Sequence, residues 1–102
     1  MLKHCVFLNF KSNVTKSKQF ELIKSLSSLK NKIDGIVDFD YGNNLDFEQK
    51  SSEYNSGFIV TFDCYKTLLE YNEHPEHILL GSKLVSMCKG GHQGIIVFDL
   101  EI

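Results

Sequence analysis

The 102-residue sequence predicts an α+β domain of order β-α-β-β-α-β, a four-stranded antiparallel sheet with helices across one face. Three observations predict it. Apolar residues alternate at period two in four separate stretches, and they recur at helical spacing in the intervals after the first and third. Gly, Asn and Pro punctuate the joins.

Residues 2–11 alternate, with His4, Val6, Leu8 and Phe10 on one face and Cys5, Phe7 and Asn9 on the other, the period of a strand. Ser12, Asn13 and Thr15 offer capping side chains. Phe20, Ile23, Leu26, Leu29 and Ile33 then follow at helical spacing, predicting an amphipathic helix over 16–32 that Asp34-Gly35 ends. Ile36 to Tyr41 alternates as a second strand, with Asp38 and Asp40 marking its polar face. Residues 43–55 are polar and read as a long exposed loop, unusual enough to suggest a rim or lid. The β-branched and aromatic run 57–62 predicts a third strand. Asp63 is placed to cap a short helix over 64–72, and Pro75 suits the first position of another through Met87. Lys89 to Gly94 is a turn before a last strand, 95–100. This is the ferredoxin-like order, and the chain is expected to be one domain over 1–102.

Two helices cover only one face of such a sheet. Phe7 opposes Val6 and Leu8, Ile59 opposes Phe58 and Val60, and the last strand is apolar on both sides. An uncovered apolar face calls for a partner, most simply an identical chain paired through the sheet faces.

Composition excludes several classes. Eleven Lys against thirteen acids give a net charge of −2, and Arg is absent, so a nucleic-acid partner is not expected. Cys5, Cys64 and Cys88 are widely spaced without a CxxC pair, so neither a disulfide framework nor a zinc site is predicted. Cys5 and Cys64 sit beside strand residues and are expected to be buried thiols. The opening has no signal-peptide pattern, and no apolar run suits a membrane helix. A reducing cytoplasm is expected, with no membrane partner.

The segment Tyr71-Asn72-Glu73-His74-Pro75-Glu76-His77 carries the chemistry. On a structural reading, His74 closes a helix start, Tyr71 is a core aromatic and His77 a half-buried histidine. On a functional reading, Tyr71 and His77 border a cavity between helices and sheet. There His77 acts as acid or base, and the Tyr71 hydroxyl donates to a carbonyl oxygen gaining charge. His4 is placed to bring a second imidazole there. His74 and His77 lack a third ligand for a metal. His92, in a glycine-rich turn, reads as solvent-exposed, and Gly90, Gly91 and Gly94 precede a strand rather than a phosphate-binding helix. No cofactor is expected.

The opening from Lys3 to Lys11, Gly42, Ile59 to Phe62, and Tyr71 with His74-Pro75-Glu76-His77 resemble the stress-responsive A/B barrel (Dabb) domain family across nearly the whole chain. The resemblance implies a dimeric α/β barrel of ferredoxin-like subunits, in a family where most members lack an assigned reaction. One plant member closes a linear polyketide by an aldol reaction, and its essential Tyr and His fall on Tyr71 and His77. Its first-strand pocket His matches His4; its third-strand pocket His is replaced by Ser56. Its cavity would be lined here by Leu22, Ile23, Leu26, Phe58, Leu80 and Gly81. The resemblance thus implies a stress-responsive homodimer of unestablished activity binding a small apolar ligand. The alternative it implies is a cofactor-independent cyclase- or isomerase-like enzyme.

Overall fold

The computed structural model describes residues 1–102. The chain runs β1 (Leu2–Leu8), α1 (Lys16–Ser27), a 3-10 turn (Ser28–Asn31), β2 (Ile36–Asn43) and β3 (Ser56–Phe62). It continues through α2 (Tyr65–Glu73), α3 (Pro75–Met87), a second 3-10 turn (Gly91–Gly94) and β4 (Ile95–Glu101). The strands form one antiparallel sheet in the order β2-β3-β1-β4, the ferredoxin-like arrangement the sequence predicts.

Register sorts the side chains onto two faces. His4 pairs with Val60 and Asp99, Val6 with Phe58 and Val97, and Leu8 with Ser56 and Ile95. These rows face the helices, where Val6, Leu8, Phe58, Val60 and Phe62 join Leu22, Ile23 and Leu26 of α1 and Leu84 of α3 in the core. The alternate rows carry Lys3, Cys5 and Phe7 beside Thr61, Ile59 and Gly57 on one flank and Leu100, Phe98 and Ile96 on the other. No helix covers that second face, and Phe7 and Phe98 remain 38% and 55% exposed on it.

Several boundaries differ from the pattern-based expectation, each for a local reason. The first strand ends at Leu8, because the next amides turn to other partners: Asn9 N–H donates to the Gly94 carbonyl and Phe10 N–H to Asn55 Oδ1. Phe10 then makes a lone bridge to Cys88 and is still buried. The first helix stops at Ser27 rather than near 32. The hydroxyls of Ser25, Ser27 and Ser28 donate back to the carbonyls of Glu21, Lys24 and Ser25 and compete with the helical ladder. Phe20 faces outward, its ring meeting Tyr41 edge-on at 5.1 Å. Cys64 is exposed, not buried, because it is the N-cap of α2 and no longer part of the strand. Asp63 lies one residue earlier and accepts from the Thr67 hydroxyl at 2.6 Å. No helix is long and apolar enough to cross a membrane.

Candidate functional site

His74 and Pro75 set the geometry of the site. The residue before a proline is driven to extended backbone, and His74 has φ −62° and ψ 131°, which ends α2. Its Nδ1 accepts from the Glu76 amide at 3.1 Å, so His74 is the N-cap of α3 and its imidazole serves the backbone. Across this break Tyr71, in the last turn of α2, and His77, in the first of α3, meet with ring centroids 4.3 Å apart. Phe62 packs against Tyr71 edge-on at 5.2 Å, and His4 of β1 lies 5.9 Å from the same ring.

A cleft of about 500 Å³ opens between α3 and the β1–β4 side of the sheet. Its walls are apolar, among them Val6, Leu26, Phe58, Leu84 and Val97, and its polar groups include His4, His77, Asn72 and Ser82, with His92 also lining it. Tyr71 stands behind His77 and does not line the cleft. It is 1% exposed, and its hydroxyl is buried with no protein hydrogen-bond partner.

Hydrogen bonding assigns the tautomers. The Asn72 carbonyl lies 3.2 Å from His77 Nδ1 and can only accept, so Nδ1 carries the proton and Nε2 keeps a free lone pair. Likewise the Asp99 carboxylate, 2.6 Å from His4 Nδ1, holds that proton and fixes the ring. Burial lowers the His77 pKa, and the nearby His4 and His74 add to the effect, against the Asn72 hydrogen bond. Burial also drives the Tyr71 hydroxyl well above the usual phenol range. At neutral pH both groups are therefore neutral, one a base and the other a donor.

The depressed His77 value has a consequence for stability. The unfolded chain binds a proton at this position more readily, so the contribution is complete above the ordinary histidine value of 6.5 and is lost as pH falls through the folded value. Between about pH 7 and pH 5, wild type is expected to lose urea stability more steeply than His77→Gln. Equal slopes would show that His77 titrates as it does in the unfolded chain.

The structure gathers His4, Leu26, Phe58, His77 and Gly81 around the cleft. Leu22 and Ile23 lie in the α1 core. Leu80 turns toward a surface groove with Glu21 and Ser25. Ser56 is buried with an unpartnered hydroxyl on the helix-facing row beside Leu8, and it borders a separate recess of about 630 Å³ rather than the histidine cleft. His92 is exposed, yet it lines the cleft. Asp99 escaped the sequence reading. Its one available signal is alternation on the last strand, which puts it on the same face as Val97.

A ferredoxin-like α+β domain with an apolar cleft tipped by histidines, and with its opposite sheet face bare, defines the class. The chain belongs to the stress responsive A/B barrel domain (Dabb) family, whose model matches residues 2–102. It is 32% identical over 100 residues to a stress-response A/B barrel domain-containing protein of Arabidopsis thaliana, covering 98% of this chain and 88% of that one. It is 30% identical over 98 residues to olivetolic acid cyclase of Cannabis sativa, covering 96% and 93%. A solved dimeric ferredoxin-like protein of unknown function from Jannaschia sp. is 38% identical, with a TM-score of 0.93 over 99% of this chain and 98% of that one.

Proposed function

We propose that this chain is a homodimeric stress-response protein, paired through its open sheet faces, that binds a small apolar carbonyl compound in the α3–β4 cleft of each subunit. The observation that carries the reading is the cleft itself: apolar walls of ligand-sized volume ending at His4 and His77. The open face with Phe7 and Phe98 supports the pairing, as does the dimeric description of the Jannaschia structure. The name of the Arabidopsis relative supports the stress role. Fold alone does not specify a ligand, so the ligand class is inferred from the chemistry of the cleft.

A second reading, acid–base catalysis on the same compound, is favoured by one specific observation. The Tyr71 hydroxyl is buried without a protein partner against a His77 ring whose Nε2 is free. An unsatisfied buried hydroxyl costs about 1–3 kcal/mol, which a ligand oxygen would offset. On binding, His77 Nε2 takes a proton from a carbon flanked by carbonyls, and the oxygen that becomes enolate accepts from the Tyr71 hydroxyl once a side-chain movement opens that buried group to the cleft. The carbanion then adds to a second carbonyl or is reprotonated elsewhere. The similarity to olivetolic acid cyclase supports this chemistry; Ser56, where the resemblance implies a pocket His in the cyclase, weakens the transfer of that specific activity.

The test is thermal denaturation with unbranched 1,3-diketones of increasing chain length. Saturating ligand is expected to raise the wild-type Tm. Tyr71→Phe is expected to be as stable as wild type or more so without ligand, because it loses an orphaned hydroxyl, and to bind about 2–10-fold more weakly. No shift with any diketone would sink the ligand class, and undiminished binding by Tyr71→Phe would remove the hydroxyl from it.

A further inference from the structure

The β2–β3 loop, residues 44–55, is ordered by its own side chains. Asp46 accepts through Oδ1 from the amides of Lys50 and Ser51 and from the Ser51 hydroxyl, each within 3.0 Å. Asn44 Nδ2 donates to the Ser51 and Tyr54 carbonyls at 3.2 and 2.8 Å. Asp46 and Gln49 adopt left-handed backbone, φ 45° and 56°, conformations that cost non-glycine residues energy. The result is a rigid projection that leaves Leu45 and Phe47 90% and 93% exposed. Holding two large apolar side chains in water on a strained scaffold opposes solubility unless something covers them.

At its base lies the recess of about 630 Å³ on the open sheet face. Gly42 and Gly57 pair directly across β2 and β3, next to Phe7. They leave a recess lined by Phe7, Ile59, Phe98, Tyr54 and Leu45. The direction a side chain at Gly42 would take is open space. The loop that carries the projecting Phe47 thus borders an apolar recess, with Leu45 of the same loop in its wall. This is what a two-fold, self-complementary interface requires: the projection of each copy enters the recess of the other. Charge agrees with self-pairing. The same face carries Lys3, whose ammonium meets only the Thr61 hydroxyl at 2.9 Å. It also carries Asp40, which belongs to none of the chain's ion pairs.

We infer that the β2–β3 loop is an exchange arm, with Phe47 of each copy seated in the recess over Gly42 and Gly57 of a second copy. This rests on the sheet-face dimer proposed above and specifies what locks it. Sedimentation equilibrium of the full chain tests it with three variants: Phe47→Ser removes the projection, Gly42→Trp fills the recess, and Leu100→Asp charges the open face beyond the recess. Far-UV circular dichroism checks that each stays folded. Phe47→Ser and Gly42→Trp are each expected to raise the dimer Kd by about tenfold or more, as for a central aromatic anchor. If Leu100→Asp dissociates the dimer while both arm variants keep the wild-type Kd, the sheet-face dimer stands and the arm is overturned. A wild-type monomer at all concentrations overturns the dimer and the arm together.

Discussion

Phe62→Ala is expected to lower folding stability by about 3–5 kcal/mol, read as a drop in the urea midpoint at unchanged m. Phe62 ends β3, pairs with Leu2 and Ile36, and has no exposed surface. Its ring supports Tyr71 at 5.2 Å and lies 6.2 Å from His4, so the cavity left by alanine would sit directly behind the candidate site. A domain of this size has a total stability of about 5–15 kcal/mol, so one substitution would consume a large share. Phe20→Ala makes the control. Phe20 also has an edge-on aromatic neighbour, but it is exposed, and its loss should cost about 1 kcal/mol or less. Similar costs for the two would mean that the ring cluster is not packed as described.

The second large effect concerns chemistry. For any 1,3-dicarbonyl compound the cleft turns over, His77→Ala is expected to lower kcat by about 10²–10⁴, with a smaller change in KM. The imidazole is kept neutral by its surroundings, its Nδ1 proton is held by the Asn72 carbonyl, and its Nε2 is the free base. Tyr71→Phe should cost about 10²–10³, the range for one lost donor to a developing oxyanion. Because the two groups act on one proton transfer, the double variant should be little worse than His77→Ala alone. Stopped assays following loss of enol absorbance would give these values. A kcat in His77→Ala equal to wild type would leave the cleft as a binding site only.

How much of this was legible beforehand depends on the reach of each signal. Period-two alternation marks strands because neighbouring side chains point to opposite faces, and it located all four. The same alternation did not show that β1 stops at Leu8, since that depends on Asn55 and Gly94, distant in sequence, capturing the next backbone groups. Helical spacing identified α1 but put Phe20 on its inner face. A stretch of two or three turns tolerates more than one phase, and only packing against β2 chooses. The same limit separates Leu26, which lines the cleft, from Leu22 and Ile23 one turn earlier in the core.

By itself the sequence determined the element order, the proline break between α2 and α3, the helix-closing place of His74 and the surplus of apolar side chains on the sheet. These follow from local backbone sterics and side-chain periodicity, which act over a few residues. The tertiary structure decided the rest. It folded Tyr71 and His77 against each other across the break, brought Asp99 beside His4 through strand pairing, left the Tyr71 hydroxyl without a partner, and set Leu45 of the β2–β3 loop in the wall of a recess lined by Gly42 and Gly57. The physical reason is that hydrogen-bond satisfaction and burial depend on neighbours tens of residues away in the chain, and sequence spacing carries no record of those.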